Sequence, residues 1–183
     1  MHSAVFLDRD GTLIEDRGHL SDPSQIVFYP ETVPALRMLR DAFTLFIVTH
    51  QSGLAKGLLE ADQVAAVNDA VVAHLADHGI TITEVYCCPH ERSEDCRCIK
   101  PKPFFLRRAA ADFDIDLPGS FSVGDHPHDL ELAEGVGGTG IYVLTGHGRK
   151  HRRELTDGAL VVPTIREAAR QIRETARRRR PAP

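Results

Sequence analysis

The feature that most constrains this chain is an apolar run, Val5-Phe6-Leu7, that ends abruptly in two carboxylates, Asp8 and Asp10, with Gly11 and Thr12 turning the chain away. Side chains two apart on an extended segment point to the same side. The spacing therefore predicts that both carboxylates reach one small volume at a strand's carboxyl end. That edge is where open α/β sheets place their ligands. Carboxylates this close repel, which raises one pKa unless a cation neutralises them. Two uses are compatible with the pair: a site for a hard divalent cation, and a nucleophile with its acid/base partner.

Short apolar runs bounded by turn residues recur at 4–7, 44–48, 84–87, 120–123, 141–144 and 160–162, which predicts six strands. Segments of helical period lie between them. Residues 32–40 put Val33, Leu36 and Leu39 near one face, and in 62–78 Val64, Val67, Val71 and Leu75 form a stripe that Gly79 would stop. Residues 103–113 carry Leu106, Ala109, Ala110 and Phe113 on one face, a short helix should follow Asp129, and Thr164 with Glu167 reads as the capping box of a last helix. The alternation predicts an α/β fold whose mostly parallel sheet of about six strands is covered by helices. Strand ends at Asp8, Thr49 and Asp125 should then gather on one edge.

Composition sets the limits. A length of 183 residues fits one domain, 1–183, and 42% hydrophobic residues with a net charge of -4 describe an ordinary soluble protein. No apolar stretch approaches the roughly 20 residues that span a bilayer, so a cytoplasmic protein without a membrane partner is expected. The slight acidity speaks against nucleic acid as a partner. Only the basic end of the 164–183 segment, Arg177 to Arg180, points the other way, and a frayed, solvated terminus accounts for it. A monomer is expected.

All four cysteines, Cys87, Cys88, Cys96 and Cys98, fall within a dozen residues, whereas a disulfide framework would spread them. Cys88-Pro-His90, five residues, then Cys96-Arg-Cys98 offers three thiolates and an imidazole, a set that fits tetrahedral Zn²⁺ in a closed structural site within the 87–99 loop. Buried or redox-active cysteines are the alternative.

Three further groups carry chemistry. Thr49 ends the second strand and opens into His50-Gln51-Ser52-Gly53, where a hydroxyl and backbone N–H groups can donate to phosphate oxygens. Lys100 stands between Cys98 and Pro101 as a cation on stiff backbone. Gly124-Asp125-His126-Pro127-His128-Asp129 brings two more carboxylates: Asp125 can complete a Mg²⁺ site with Asp8, and Asp129 can orient Lys100 or the metal waters. His50 and His126 flank these groups and are candidates for substrate contact, as is Gln51 for a substrate hydroxyl. Arg17, Gly18 and His19 lie at the entrance or in a plain surface loop.

This ordered set, Asp8-Arg9-Asp10-Gly11-Thr12, Thr49, Lys100 and Gly124-Asp125 through Asp129, resembles the four motifs of the haloacid dehalogenase superfamily of phosphatases over nearly the whole chain. The resemblance implies a Rossmann-like fold, a catalytic Mg²⁺ at Asp8, Asp10 and Asp125, and an aspartyl-phosphate intermediate on Asp8. It also implies that Asp10 is the general acid/base, and that Thr49 and Lys100 hold the phosphoryl oxygens. Asp10 would be kept partly protonated by its neighbourhood. Residues 49–57 and the cysteine cluster look like the branch containing heptose bisphosphate phosphatase and the histidinol-phosphatase domain, where the Cys88, His90, Cys96 and Cys98 positions hold zinc and Cys87 does not. The short intervals between motifs imply no large cap domain.

Two departures concern the substrate. That branch usually carries arginine just before the motif lysine, where Ile99 stands, and asparagine and lysine where His50 and His126 stand. The reading that results is a Mg²⁺-dependent phosphatase of a small phosphorylated metabolite, most like a sugar bisphosphate such as heptose 1,7-bisphosphate. Histidinol phosphate, a nucleic-acid end, and a non-catalytic zinc-stabilised binding protein stay open as alternatives.

Overall fold

The computed structural model describes residues 2–179, so Arg180 of the basic tail lies outside them. Six parallel strands form one sheet in the order β3-β2-β1-β4-β5-β6: β1 Ala4–Leu7, β2 Thr44–His50, β3 Glu84–Cys88, β4 Phe121–Gly124, β5 Thr139–Val143 and β6 Val161–Val162. Six α-helices connect them: α1 Thr32–Leu39, α2 Ala61–Asp77, α3 Phe104–Phe113, α4 Pro127–Glu134, α5 Gly148–His151 and α6 Ile165–Arg179. Between β1 and β2 the chain forms only a 3₁₀ turn and α1, and between β2 and β3 only α2. Among the described residues no helix is long and apolar enough to cross a membrane.

The strands read as unbroken apolar runs because both faces of the sheet are covered. Val5 and Leu7 of β1, Leu45 and Ile47 of β2, and Phe121 and Val123 of β4 enter one core with α1, α2 and α6. The alternate residues Ala4, Phe6, Phe46 and Val48 enter a second core with α3 and Leu132 of α4. On α2 the stripe of Val64, Val67, Val71 and Leu75 is buried as its spacing predicts, and each such side chain contributes about 1.5–3 kcal/mol of burial.

Most element ends shift by a residue or two from the sequence expectation, and three differences have a plain physical cause. Helix α4 starts at Pro127 instead of after Asp129, because proline fits the first helical position and Asp129 accepts from the His126 N–H at 3.1 Å. Strand β5 begins at Thr139, where glycines carry no apolar signal. In α3 the buried face holds Phe105, Leu106 and Ala109, and Phe113 at the last turn is 37% exposed. At α6 the Thr164 hydroxyl accepts from the Arg166 N–H at 3.2 Å, and Glu167 closes on that hydroxyl at 2.6 Å.

In the sheet order the connections change direction between β1 and β4, so their carboxyl ends flank the crevice where doubly wound sheets bind ligands. Asp8 follows the end of β1 and Asp125 the end of β4.

Candidate active site

Three carboxylates from two strand ends meet one ammonium. Lys100 Nζ donates to Asp8 Oδ1 at 2.6 Å and to Asp129 Oδ1 at 2.7 Å, and Asp8, Asp125 and Asp129 each place a carboxylate oxygen within 4.8 Å of the others. Burial pushes the Asp8 carboxyl well above its ordinary range; Lys100 opposes this, while Asp129, Asp125 and Asp10 add to it. Asp125 is pushed up to about 7 by burial and by Asp129, against the His147 N–H and Lys100. Burial would lower the Lys100 pKa, but Asp129 and Asp8 outweigh it and hold the ammonium charged. A buried site with three acids and one base is short of positive charge. Its hard oxygen donors fit a Mg²⁺ ion.

Glycine lets these groups approach. Gly11 has φ +84°, and a Cβ there would fall 2.1 Å from Asp125 Oδ2. A Cβ on Gly124 would likewise fall 2.1 Å from the Asp129 carboxyl.

Asp10 reaches the same cavity as Asp8, as its spacing suggests, but stands apart from the three-carboxylate group. Strand β1 ends at Leu7, so the two-residue alternation no longer governs position 10. Its carboxylate accepts from Arg9 Nε at 3.0 Å and Nη2 at 3.1 Å, from Gln51 Nε2 at 2.8 Å and from the Thr49 hydroxyl at 3.5 Å. Asp129, by contrast, lies inside that group. Arg9 is fully buried and also donates to Asn68 Oδ1 at 2.6 Å. Gln51 thus orients Asp10 and Thr49, to whose hydroxyl it donates at 2.8 Å.

The 145–148 segment was not anticipated. Thr145 donates its hydroxyl proton to the Gly11 carbonyl at 2.6 Å, and the His147 N–H donates to Asp125 Oδ2 at 2.6 Å. Its sequence, Thr-Gly-His-Gly, reads only as a turn, although a hydroxyl beside glycine one strand after Asp125 is a usable signal.

Cys88, Cys96 and Cys98 place their Sγ atoms 3.3–3.6 Å apart, with His90 Nδ1 at 3.9 Å from Cys88 and 3.3 Å from Cys98. A tetrahedral zinc with Zn–S bonds of about 2.3 Å has edges of about 3.8 Å, so the donor set fits that ion. All four cysteines are free thiols, and Cys87 stands outside the group with its thiol pushed up to about 11 by burial. The loop is braced to the Thr49 turn: His50 Nε2 lies 2.7 Å from the His90 carbonyl, and the Gln51 N–H donates to the Cys88 carbonyl at 2.8 Å. His50 is therefore half spent on the brace, and burial lowers its pKa while the His90 carbonyl raises it.

A cavity of about 350 Å³ opens over these groups, lined by Asp8, Asp10, Thr49, His50, Gln51, Ser52, Arg92, Lys100, Asp125, His126 and Asp129. Gly18 and His19 also reach it, while Arg17 pairs with Glu15 at 3.0 Å on the surface. Burial, then neighbouring His128, lowers His126 to about 4, so its ring is neutral. Ile99 is 5% exposed and belongs to the second core. The guanidinium at the cavity comes instead from Arg92, whose Nη1 lies 3.5 Å from the Lys100 carbonyl. A larger groove, about 740 Å³, lies at the amino ends of β1, β2 and β4, and no carboxylate, histidine or thiol cluster of the metal-binding kind falls there among the described residues.

Residues 97–168 match the protein family described as HAD-hydrolase-like. The chain is 38% identical over 143 residues to D-glycero-beta-D-manno-heptose-1,7-bisphosphate 7-phosphatase of Pasteurella multocida, covering 74% of this chain and 78% of that one. It is 33% identical over 176 residues to the Bordetella bronchiseptica protein of the same name, covering 94% and 98%. The crystal structure of D,D-heptose 1,7-bisphosphate phosphatase from B. bronchiseptica, complexed with magnesium and phosphate, superposes with a TM-score of 0.86 at 32% identity, covering 95% of this chain and 99% of that one. With the sheet, the strand-end carboxylates and these relatives in agreement, the chain belongs to the haloacid dehalogenase superfamily of hydrolases, in the branch of the heptose-1,7-bisphosphate 7-phosphatases.

Proposed function

We propose that this protein is a Mg²⁺-dependent phosphomonoesterase that removes one phosphate from a small phosphorylated sugar, with D-glycero-D-manno-heptose 1,7-bisphosphate as the leading substrate. The observation that carries the reading is the meeting of Asp8, Asp125 and Asp129 around Lys100 at the carboxyl ends of β1 and β4. Asp8 and Asp125 would hold the ion, which when bound neutralises charge on the phosphoryl oxygens.

The residues divide the chemistry among them. Asp8 attacks phosphorus, forming an O–P bond as the bond to the leaving alkoxide breaks, and water then cleaves the aspartyl phosphate. Lys100 and the Thr49 hydroxyl offset negative charge on the oxygens in flight. Asp10, held in one orientation by Arg9 and Gln51, passes a proton to the leaving oxygen and takes one from the attacking water. Asp129 fixes the Lys100 ammonium. His50, His126 and Arg92 face the substrate beyond the phosphoryl group, and the arginine supports the choice of a substrate with a second anionic or hydroxyl-rich end. Zn²⁺ on Cys88, His90, Cys96 and Cys98 is structural. We read the chain as a cytoplasmic monomer of one domain, its clustered cysteines serving a metal and not disulfides.

The test is a substrate panel with Mg²⁺: heptose 1,7-bisphosphate, histidinol phosphate, other sugar phosphates and a phosphate-terminated oligonucleotide. The highest kcat/KM is expected on the heptose bisphosphate, and Asp8→Asn should abolish turnover of every member. Turnover of none by the wild type would leave a zinc-stabilised binding protein.

A further inference from the structure

Four of the ten histidines gather beside the cavity. His126 and His128 come from the start of α4, and His147 and His151 from the segment around α5. Ring centroids are 4.8 Å apart for His126 and His128, and 4.7 Å apart for His126 and His151. Glu154, in the 3₁₀ turn that follows α5, places Oε1 2.6 Å from His151 Nδ1. One ligand atom each from His126, His151 and Glu154 lies within 4.8 Å of the others, and His126 Nδ1 is buried without a hydrogen-bond partner.

We infer that His126, His151 and Glu154 form a third metal site, separate from the thiolate loop and the strand-end carboxylates, that takes a divalent transition ion of the zinc or nickel kind. Two imidazoles and one carboxylate favour such ions over Mg²⁺, which prefers all-oxygen surroundings. Three protein ligands in a loop and helix start leave further coordination positions open, in contrast to the closed Cys₃His set. The carboxylate already engages the ring that would bind beside it, so the His151 and Glu154 pair needs little reordering to accept an ion in place of the shared proton. His126 and His128 line the cavity while His151 and Glu154 do not, which puts a bound ion at its rim. The site does not depend on which phosphate ester the enzyme turns over.

Full-length protein carrying its structural zinc, with excess Mg²⁺ to occupy the carboxylate cluster, would be titrated with Ni²⁺ by calorimetry, with zinc and nickel counted after desalting. The expected result is one nickel per chain with zinc content unchanged. His151→Ala and Glu154→Gln should each weaken nickel binding by about tenfold or more, with zinc content and melting temperature retained. His78→Ala, at the far end of α2, should bind like the wild type. Absence of nickel uptake by the wild type, or uptake that survives both rim substitutions, overturns the site.

Discussion

At the scale of single residues the two carboxylates of the first motif occupy opposite situations, although only Arg9 separates them. Asp8 is one of three crowded acids, and its removal relieves repulsion even as it deletes the proposed nucleophile. Asp10 is the fork partner of a fully buried arginine. Breaking a buried pair by removing one member costs about 3–5 kcal/mol because the other charge is stranded. Asp10→Ala should therefore lose both turnover and a melting temperature's worth of stability, whereas Asp8→Asn should lose turnover and keep or raise the melting temperature in Mg²⁺-free buffer. Calorimetric unfolding of the two variants beside the wild type measures the contrast. Gly11→Ala belongs to the same scale: the added Cβ meets Asp125 at 2.1 Å on backbone with φ +84°, so Mg²⁺-dependent activity should fall below detection, and titration of the variant with Mg²⁺ followed by melting temperature should show no stabilisation.

Elements matter through what they hold in place. The Cys/His loop carries Lys100 two residues after Cys98, and its His90 and Cys88 carbonyls brace the Thr49 turn. Loss of a zinc ion held there should thus displace Lys100 and Thr49, the two proposed phosphate-binding groups, at once. Cys98→Ser is expected to release zinc, lower the melting temperature and lower kcat together, while Cys87→Ser keeps one zinc per chain and full activity; metal analysis with steady-state kinetics checks both. What was legible in the sequence at this scale follows from locality. Six strands and the α2 stripe declare themselves by period, and the Cys/His spacing declares its ligand set, because each signal lies within one segment. Asp10's partner Arg9 was adjacent in sequence, yet its role was hidden, since only the fold shows that the strand stops at Leu7 and that Asn68 of α2 waits across the gap. The 145–148 segment and Arg92 were hidden for the same reason, being brought to the cavity by the order of strands and the path of the loop and not by any local pattern.

For the whole molecule, the strand-end site sets the dependence of stability on pH. Asp125 has a folded-state pKa of about 7 against an ordinary 3.8, and Asp8 is raised in the same direction, so the metal-free native state binds more protons than the unfolded chain between those values. Stability must then fall as pH rises through that window, the reverse of the behaviour of a salt-bridged aspartate. For Asp125 alone the full rise is worth at most on the order of 4 kcal/mol. Mg²⁺ binds the deprotonated carboxylates, so its stabilising effect should grow over the same interval and offset the loss. His126, held at about 4 by burial, acts in the opposite sense below the ordinary histidine value of 6.5, so the carboxylate effect is read above it. Melting temperatures in Mg²⁺-free buffer are expected to decrease from pH 6.5 to pH 7.5, and the increment on adding Mg²⁺ to grow over the same range. Asp125→Asn, which cannot ionise, should flatten both trends while leaving the zinc loop loaded. A metal-free protein whose stability rises over this range would mean that the three carboxylates do not share one buried volume, and the strand-end site would have to be abandoned as the place where phosphate is bound.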